Sequence, residues 1–265
     1  MTLIFEKFAF WTSFIPSDGT VNAEIWDPVT AEIRPVKSFT PGKNGVRIKV
    51  RLAPFQSYFV IFYHMPRTES FSFTDTIDFP AKKEVMQLKG PWKAEFSKLW
   101  GGPGEVVFDT LCDWSTRAEE GIRYFSGTVP YSVNFSLPAN ADLKGMNSFY
   151  LDLGEVKNMA RVKLNGKDLG VLWTSPMEIK INNLLKKEDN RLEIEVANLW
   201  VNRLIGDESK PWDGVVNGQW PDWLLNGTPR TSGRYTFTTH RFYKKDDPLL
   251  PSGLIGPVRI MITER

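Results

Sequence analysis

ARVKLNGKDLGVLWTSP, residues 160–176, decides the fold. Val162 and Leu164 stand two apart, Asn165-Gly166 follows, and Leu169, Val171 and Trp173 take up the period of two again. An Asn-Gly pair suits the type I′ turn of a two-residue hairpin, because both central residues of that turn need a positive φ. The same alternation recurs on either side of this hairpin. Leu192, Ile194 and Val196 alternate with Arg191, Glu193 and Glu195, and Val46, Ile48, Val50 and Leu52 alternate with Arg47, Lys49 and Arg51. Such alternation marks a strand with one buried face. Ile179 and Ile181 flank Lys180 in the same way, ahead of Asn182-Asn183-Leu184-Leu185. YFVIFY, residues 58–63, does not alternate and reads as a strand buried on both faces.

Helical periodicity is scarce, and 18 prolines and 20 glycines punctuate the chain. Many short strands separated by turns predict an all-β protein of the sandwich or jelly-roll kind. The chain divides into a small, incomplete, immunoglobulin-like β-sandwich over residues 1–82 and a larger β domain over residues 83–265. Polar residues from Pro66 to Lys83 read as the linker, and the second domain takes shape at Leu88-Lys89-Gly90-Pro91-Trp92. No repeat of fixed period and no low-complexity tract is present.

With 265 residues, 42% of them apolar and 24% charged, the chain has ample material for a globular core. A net charge of +2, with Lys and Arg interleaved among Asp and Glu, gives no electrostatic footprint for nucleic acid. The N-terminus, MTLIFEKFAF, lacks the basic start of a signal peptide, and no apolar run is long enough to cross a bilayer. The single cysteine, Cys112, excludes an internal disulfide. Asp109 and Asp113 beside it would raise its pKa, so it reads as an inert thiol.

The aromatic residues carry the functional question. PWDGVVNGQWPDWLLNGTPR, residues 211–230, holds three tryptophans among asparagines, glutamine and aspartates in a turn-rich stretch without a helical or strand period. An indole face set against the C–H face of a sugar, ringed by amides, carboxylates and Arg, would make a carbohydrate site, and loops on a rigid β scaffold are where such residues gather. The candidate carbohydrate-binding residues are Trp212, Trp220, Asn202, Arg203, Asp207, Glu208 and Arg234. Against this, each indole buries a large area and its N–H readily finds a carbonyl, so core packing competes as an explanation. Trp223, followed by Leu224-Leu225, reads as core, as do Trp92, Trp100, Trp114, Trp173 and Trp200; Trp26 reads as packing a turn. A third use is that these loops cover the flank of another domain.

YSVNFSLP (131–138), LDLGEV (151–156), the hairpin at 160–176 and EIKINNLLKKEDNRLEIEVAN (178–198) together resemble the galactose-binding-like jelly rolls that accompany many glycoside hydrolases. GPWKAEFSKLWGGP (90–103), EEGIRYFSGT (119–128), NLWVNRLIGDE (198–208), PDWLLNG (221–227) and SGLIGPVRI (252–260) are similar to the C-terminal region of glycoside hydrolase family 106, which is α-L-rhamnosidase-like. AEIWDPVTAEIRPV (23–36) and the strand near Phe55-Gln56-Ser57-Tyr58 resemble the sandwich that follows that family's catalytic barrel. The resemblance implies a jelly roll over residues 83–265, a periplasmic or extracellular location, a plant-type polysaccharide or oligosaccharide as partner, and an upstream catalytic barrel. No alternation of strands with helices in this chain could build such a barrel. The chain starts inside what resembles the first β unit, as expected of a piece of a longer protein.

Catalysis by the chain alone is not expected, and no catalytic residue is assigned. Glycoside hydrolysis typically uses two carboxylates facing one another across a sugar, about 5–10 Å apart. The doublets Glu119-Glu120, Asp207-Glu208 and Asp246-Asp247 do not supply this by themselves, since neighbours on an extended chain point to opposite faces. His64 and His240, the two histidines, come without a Gly-x-Ser-x-Gly elbow. Gly101-Gly102-Pro103-Gly104 lacks the Lys of a phosphate loop. Asn134-Phe135-Ser136 and Asn226-Gly227-Thr228 match glycosylation tripeptides that also arise by chance. No zinc-ligand spacing and no cofactor motif is present. A structural calcium ion in a jelly-roll loop, held by Asp207, Glu208 or Asp152 with backbone carbonyls, is the one metal site left open. Two roles are thereby set side by side: an accessory region that supports a catalytic barrel, and an autonomous carbohydrate-binding module. A free-standing enzyme with a novel site is the weakest of the three.

Overall fold

The structure, a computed structural model, describes residues 9–12, 22–37, 40–42, 45–63, 79–143 and 147–263. It is an all-β fold with two compact units, the first holding most of the chain up to Lys83 and the second comprising Glu84–Trp173 and Met177–Met261.

The first unit contains β1 (Ala9–Thr12), β2 (Asn22–Trp26), β3 (Ile33–Pro35), β4 (Thr40–Gly42), β5 (Gly45–Val50) and β6 (Phe59–Tyr63). They form two three-stranded sheets of order β1-β5-β4 and β3-β2-β6. Ala23, Ile25, Val36, Ile48 and Val50 make its core, with Leu52, Tyr58, Val60, Phe62 and Phe79 packed against them. The expected alternation of β5 is thus seen at Ile48 and Val50. The two-faced burial expected of YFVIFY is not: Phe59 and Ile61 are exposed while Val60 and Phe62 turn inward. The reason is local, because β6 is the edge strand of a sheet with one packed face, and its outward Phe59 pairs with Trp26, which is also exposed. Trp26 ends β2 and donates its indole N–H to Glu24, so it belongs to a strand face and not to a turn. Of the expected linker, residues 66–78 lie outside the described residues, and Lys82 already begins the next strand.

The second unit continues with β7 (Lys82–Gln87), β8 (Trp92–Phe96), β9 (Gly104–Phe108), β10 (Thr128–Phe135), β11 (Phe149–Asp152), β12 (Glu155–Lys157), β13 (Met159–Leu164), β14 (Lys167–Leu172), β15 (Glu178–Lys180), β16 (Asn190–Ala197), β17 (Gly253–Gly256) and β18 (Arg259–Thr263). A six-stranded sheet runs β14-β13-β16-β10-β8-β9, a four-stranded one β15-β11-β18-β7, and β12 pairs with β17. Strand β16 is registered against β10 on one side and β13 on the other, which brings Ile194 between Tyr131 and Val162. Its inward residues Leu192, Ile194 and Val196 are fully buried, as their spacing requires.

An aromatic knot fills the core beside β8. Phe96 meets Trp114 and Phe125 edge-on, and Trp114 lies parallel to Tyr131 and donates its indole N–H to that phenol at 2.5 Å. Burial pushes the Tyr131 phenol well above its ordinary pKa. The close fit extends to the backbone, since a Cβ at Gly253 would stand 2.3 Å from the Trp114 indole.

The hairpin forms as its turn residues dictate: Asn165 and Gly166 both have positive φ, 53° and 82°. Beyond the turn, however, the register shifts. Lys163 pairs with Asp168 but Val162 pairs with Gly170, so Leu169 is an extra residue in β14. The bulge is stabilised where Asp168 accepts the Gly170 amide at 3.0 Å. One extra residue reverses the facing of everything after it. Leu172 is therefore buried, while Val171 and Trp173 face outward, Trp173 being 57% exposed. The sequence places Trp173 in the core; the bulge overturns that.

Among the described residues three short α-helices interrupt the sheets: α1 (Glu120–Arg123), α2 (Val201–Asp207) and α3 (Asp222–Leu225). None is apparent in the sequence, and α2 shows why. Its buried residues are Asn202, Arg203, Ile205, Gly206 and Asp207, a face too polar to read as amphipathic. Gly206 lets α2 lie against Tyr124, for a Cβ there would come within 2.6 Å of its ring.

Candidate functional site

Helix α2 and the irregular stretch 208–250 bring five of the seven candidate residues, Arg203, Asp207, Glu208, Trp212 and Arg234, into one charged cluster. Asp207 ends α2, and its Oδ2 accepts hydrogen bonds from the Tyr235 amide (2.9 Å), the Thr236 amide (2.7 Å) and the Thr236 hydroxyl (2.8 Å). Its carbonyl accepts from Arg234 Nη1 at 2.8 Å. Arg234 also donates to Glu208 Oε1 at 2.5 Å, and Glu208 Oε2 lies 3.3 Å from Arg241 Nε. One carboxylate therefore holds two guanidinium groups.

Those two guanidiniums stand on Trp212. Arg234 lies 4.9 Å and Arg241 4.8 Å from the centre of its ring, and its N–H donates to the Val215 carbonyl at 3.3 Å. Stacking of this kind is typical of arginine, whose planar and weakly hydrated cation suits an aromatic face. Trp212 thus spends its ring on protein cations. Trp223, expected in the core, is half-buried and treated likewise: Arg230 lies 4.5 Å from its ring and its N–H donates to the Asp213 carbonyl at 2.6 Å. Arg230 also forks onto the Asp213 carboxylate, which accepts from Ser232 as well. The Arg230 bonds, ahead of that from Ser232, hold the Asp213 carboxyl below its ordinary pKa.

Asn202 forms a reciprocal pair with the backbone of Leu250, donating to its carbonyl and accepting its amide at 2.8 Å each. Arg203 is buried, with its guanidinium 4.8 Å from the Tyr235 ring and one nitrogen 3.4 Å from the Trp100 carbonyl. Burial pushes the Arg203 guanidinium below its ordinary value, against the opposite pull of the Asp207 carboxylate. Arg203 Nε, Arg234 Nε and Asp207 Oδ1 are buried without a hydrogen-bond partner. Trp220 stands apart: it is 52% exposed and meets the His240 ring edge-on at 6.0 Å. Arg203, Asp207, Glu208, Trp212 and Arg234 are accordingly joined to one another, Asn202 is bonded to Leu250 instead, and Trp220 presents an open ring.

Two of the remaining tryptophans correct the sequence reading. Trp92 and Trp114 are core, but Trp100 and Trp200 are 41% and 37% exposed. They touch each other edge-on at 5.9 Å, and Trp200 meets Phe237 at 5.7 Å. Leu99, Leu199 and Phe237 are exposed alongside them. Phe237, Arg241, Lys244 and Lys245 are functional candidates that the sequence reading missed; the run Arg-Phe-Tyr-Lys-Lys at 241–245 was the available signal.

The acidic doublets stay apart from this cluster or are already engaged. Glu119 pairs with Arg117 at the surface, and Asp247 accepts the Lys244 amide. His64 lies outside the described residues. Burial, followed by weaker contributions including Asp113, pushes the Cys112 thiol up, against the lowering effect of Arg117. Among the described residues no three His, Cys, Asp or Glu side chains converge on a point that could hold a metal ion. Asp152, one of the calcium candidates, accepts the Gly154 amide and faces Arg259 at 3.8 Å. Among the described residues no helix is long and apolar enough to cross a membrane.

Comparison with known proteins gives a consistent relationship. No protein-family model matches the chain. A stretch of 183 residues, 68% of this chain, is 45% identical to a protein of Formosa agariphila described as "Putative beta-glucuronidase", of which it covers 16%. The fold matches a solved rhamnosidase from Novosphingobium sp. PP1Y with a TM-score of 0.73 and 27% identity, covering 97% of this chain and 25% of that one. A β-glucuronidase from an uncultured Clostridium sp. matches at a TM-score of 0.40 and 18% identity over 71% of this chain and 30% of that one, too distantly to carry an argument. The chain is related to glycoside hydrolases, and it spans 16% of the curated relative and 25% of the solved rhamnosidase.

Proposed function

We propose that this chain is a non-catalytic accessory region of a glycoside hydrolase of the α-L-rhamnosidase type, resembling the C-terminal part of family 106. In this reading its second unit is a galactose-binding-like jelly roll that buttresses a catalytic barrel, in a periplasmic or extracellular protein. The observation that carries the proposal is the run of Trp100, Trp200 and Phe237, three aromatic rings that touch in series and still face water. Monomers rarely leave an apolar patch larger than a few hundred Å² uncovered, and such patches mark surfaces that meet another body. Proximity to a barrel explains the patch without asking the chain for chemistry of its own. The candidate acids support this: Asp207 and Glu208 are occupied by amides and guanidiniums, with no arrangement that would place a proton on a glycosidic oxygen. Assaying the isolated chain on aryl α-L-rhamnosides and aryl β-D-glucuronides tests the reading. No turnover above buffer is expected; turnover that survives repurification and scales with the chain would overturn it.

A further inference from the structure

Arg241, Phe242, Tyr243, Lys244 and Lys245 line an open cleft of about 470 Å³ together with Glu208. Three cations therefore face one carboxylate, and that carboxylate is already bound by Arg234 and by Arg241 itself. Lys244 and Lys245 are exposed, and neither ammonium has an acidic partner among the described residues. The nearest acids in sequence do not compensate them from within the cleft: Asp247 is turned to the Lys244 backbone amide at 2.8 Å, and Asp246 does not line it. Phe242 is 72% exposed in the same cleft, with the His240 ring 6.5 Å away.

Exposed lysines alone mark nothing, since water satisfies them. Here they occur with concavity, a local excess of positive charge and an uncovered aromatic face. Cations of this kind hold carboxylate or sulfate groups by charge-assisted hydrogen bonds, and positive clefts concentrate anions. A benzyl face beside them accepts the apolar side of a pyranose and has little to offer a simple inorganic anion. We propose that this cleft binds an acidic oligosaccharide, with its carboxylate or sulfate groups on Lys244, Lys245 and the outer edge of Arg241, and a sugar face on Phe242. The choice of a glycan over another polyanion rests on the accessory-region reading above; the preference for negative charge rests on the cleft alone.

Titration calorimetry of the whole chain at low salt, with tetragalacturonate and a sulfated tetrasaccharide as probes, tests this. Either acidic probe should bind, whereas a neutral tetrasaccharide should not, and raising salt should weaken binding. Binding by the first probe alone identifies a uronate site, and by the second alone a sulfate site. The double substitution Lys244→Gln/Lys245→Gln should weaken binding about tenfold, by loss of two exposed charge contacts, with an unchanged melting temperature. Phe242→Ala should weaken binding to the tetrasaccharide while leaving inorganic sulfate unaffected. The proposal is overturned if neither acidic probe binds, if the neutral probe binds equally, if inorganic sulfate competes as well as the glycans, if a short single-stranded oligonucleotide binds more tightly, or if the lysine variant binds normally. A negative result leaves the absence of rhamnosidase turnover untouched, so the two readings fail separately.

Discussion

The second unit contains two aromatic assemblies built on opposite terms. Around Trp114 every neighbour is supplied by strand periodicity or by a segment packed on it, and the indole has Phe96, Phe125 and Tyr131 as ring partners. Around Trp212 no ring among the described residues covers the indole; Arg234 and Arg241 do, and Glu208 holds both arginines. The first assembly is stabilised by excluding water from apolar area, and the second by satisfying charges that burial makes costly to leave alone. The difference teaches how a long irregular stretch acquires a fixed shape without a ladder: its backbone amides at Tyr235 and Thr236 close onto one buried carboxylate.

The comparison is broken most severely at Trp114. Trp114→Ala should cost about 3–5 kcal/mol by leaving a cavity in the knot, read as a lower urea midpoint for the second unit. Asp207→Ala should come next, about 3 kcal/mol, because three hydrogen bonds vanish and Arg203 stays buried without the carboxylate that offsets its charge. Limited proteolysis should then cut within residues 208–250 while the sheets persist; equal loss of all structure would show that the two assemblies are one. Trp212→Ala should cost less, about 1–2 kcal/mol, since each arginine keeps Glu208 after losing its ring.

The Asp213–Arg230 clamp sharpens the contrast through pH. The Asp213 carboxyl lies below its ordinary value of 3.8, so its contribution is complete above that value and fades as pH falls through it. Asp213→Asn should flatten the loss of stability below about pH 4, measured by thermal melting across pH; an unchanged acid limb would remove the clamp from the account. Smallest of all should be Trp200→Glu with Phe237→Glu, within about 0.5 kcal/mol, because an exposed patch supports no interior. That pair should instead abolish binding of a hydrophobic dye.

Much of the scaffold was legible in the sequence because strands with one buried face repeat every second residue. Leu192, Ile194 and Val196 were readable in this way, and Asn165-Gly166 announced its turn. Trp173 was misread because a bulge is a matter of pairing, and nothing in Gly170 alone says which strand gains the extra residue. Phe59 and Ile61 were misread because an apolar run does not reveal that its sheet is covered on one side only. The loop cluster was legible as a gathering of Trp, Asp and Arg between 202 and 234, but not in its wiring. Asp207 and Thr236 lie 29 positions apart, and no local pattern joins them. Helix α2 escaped notice since its hidden side carries Asn202, Arg203 and Asp207, where a periodicity search expects leucines.

The extra residue in β14 has a consequence for how this surface can change over time. Register, and not chemical character, determines that Leu172 is hidden while Val171 and Trp173 are on display. Loss of the single codon for Leu169 would straighten the strand yet leave Gly170, Val171 and Leu172 opposite Val162, Arg161 and Ala160, so the indole of Trp173 would stay on the outside. A change of length at this one position is therefore absorbed by the bulge, and the edge can lose that residue without altering the face it shows.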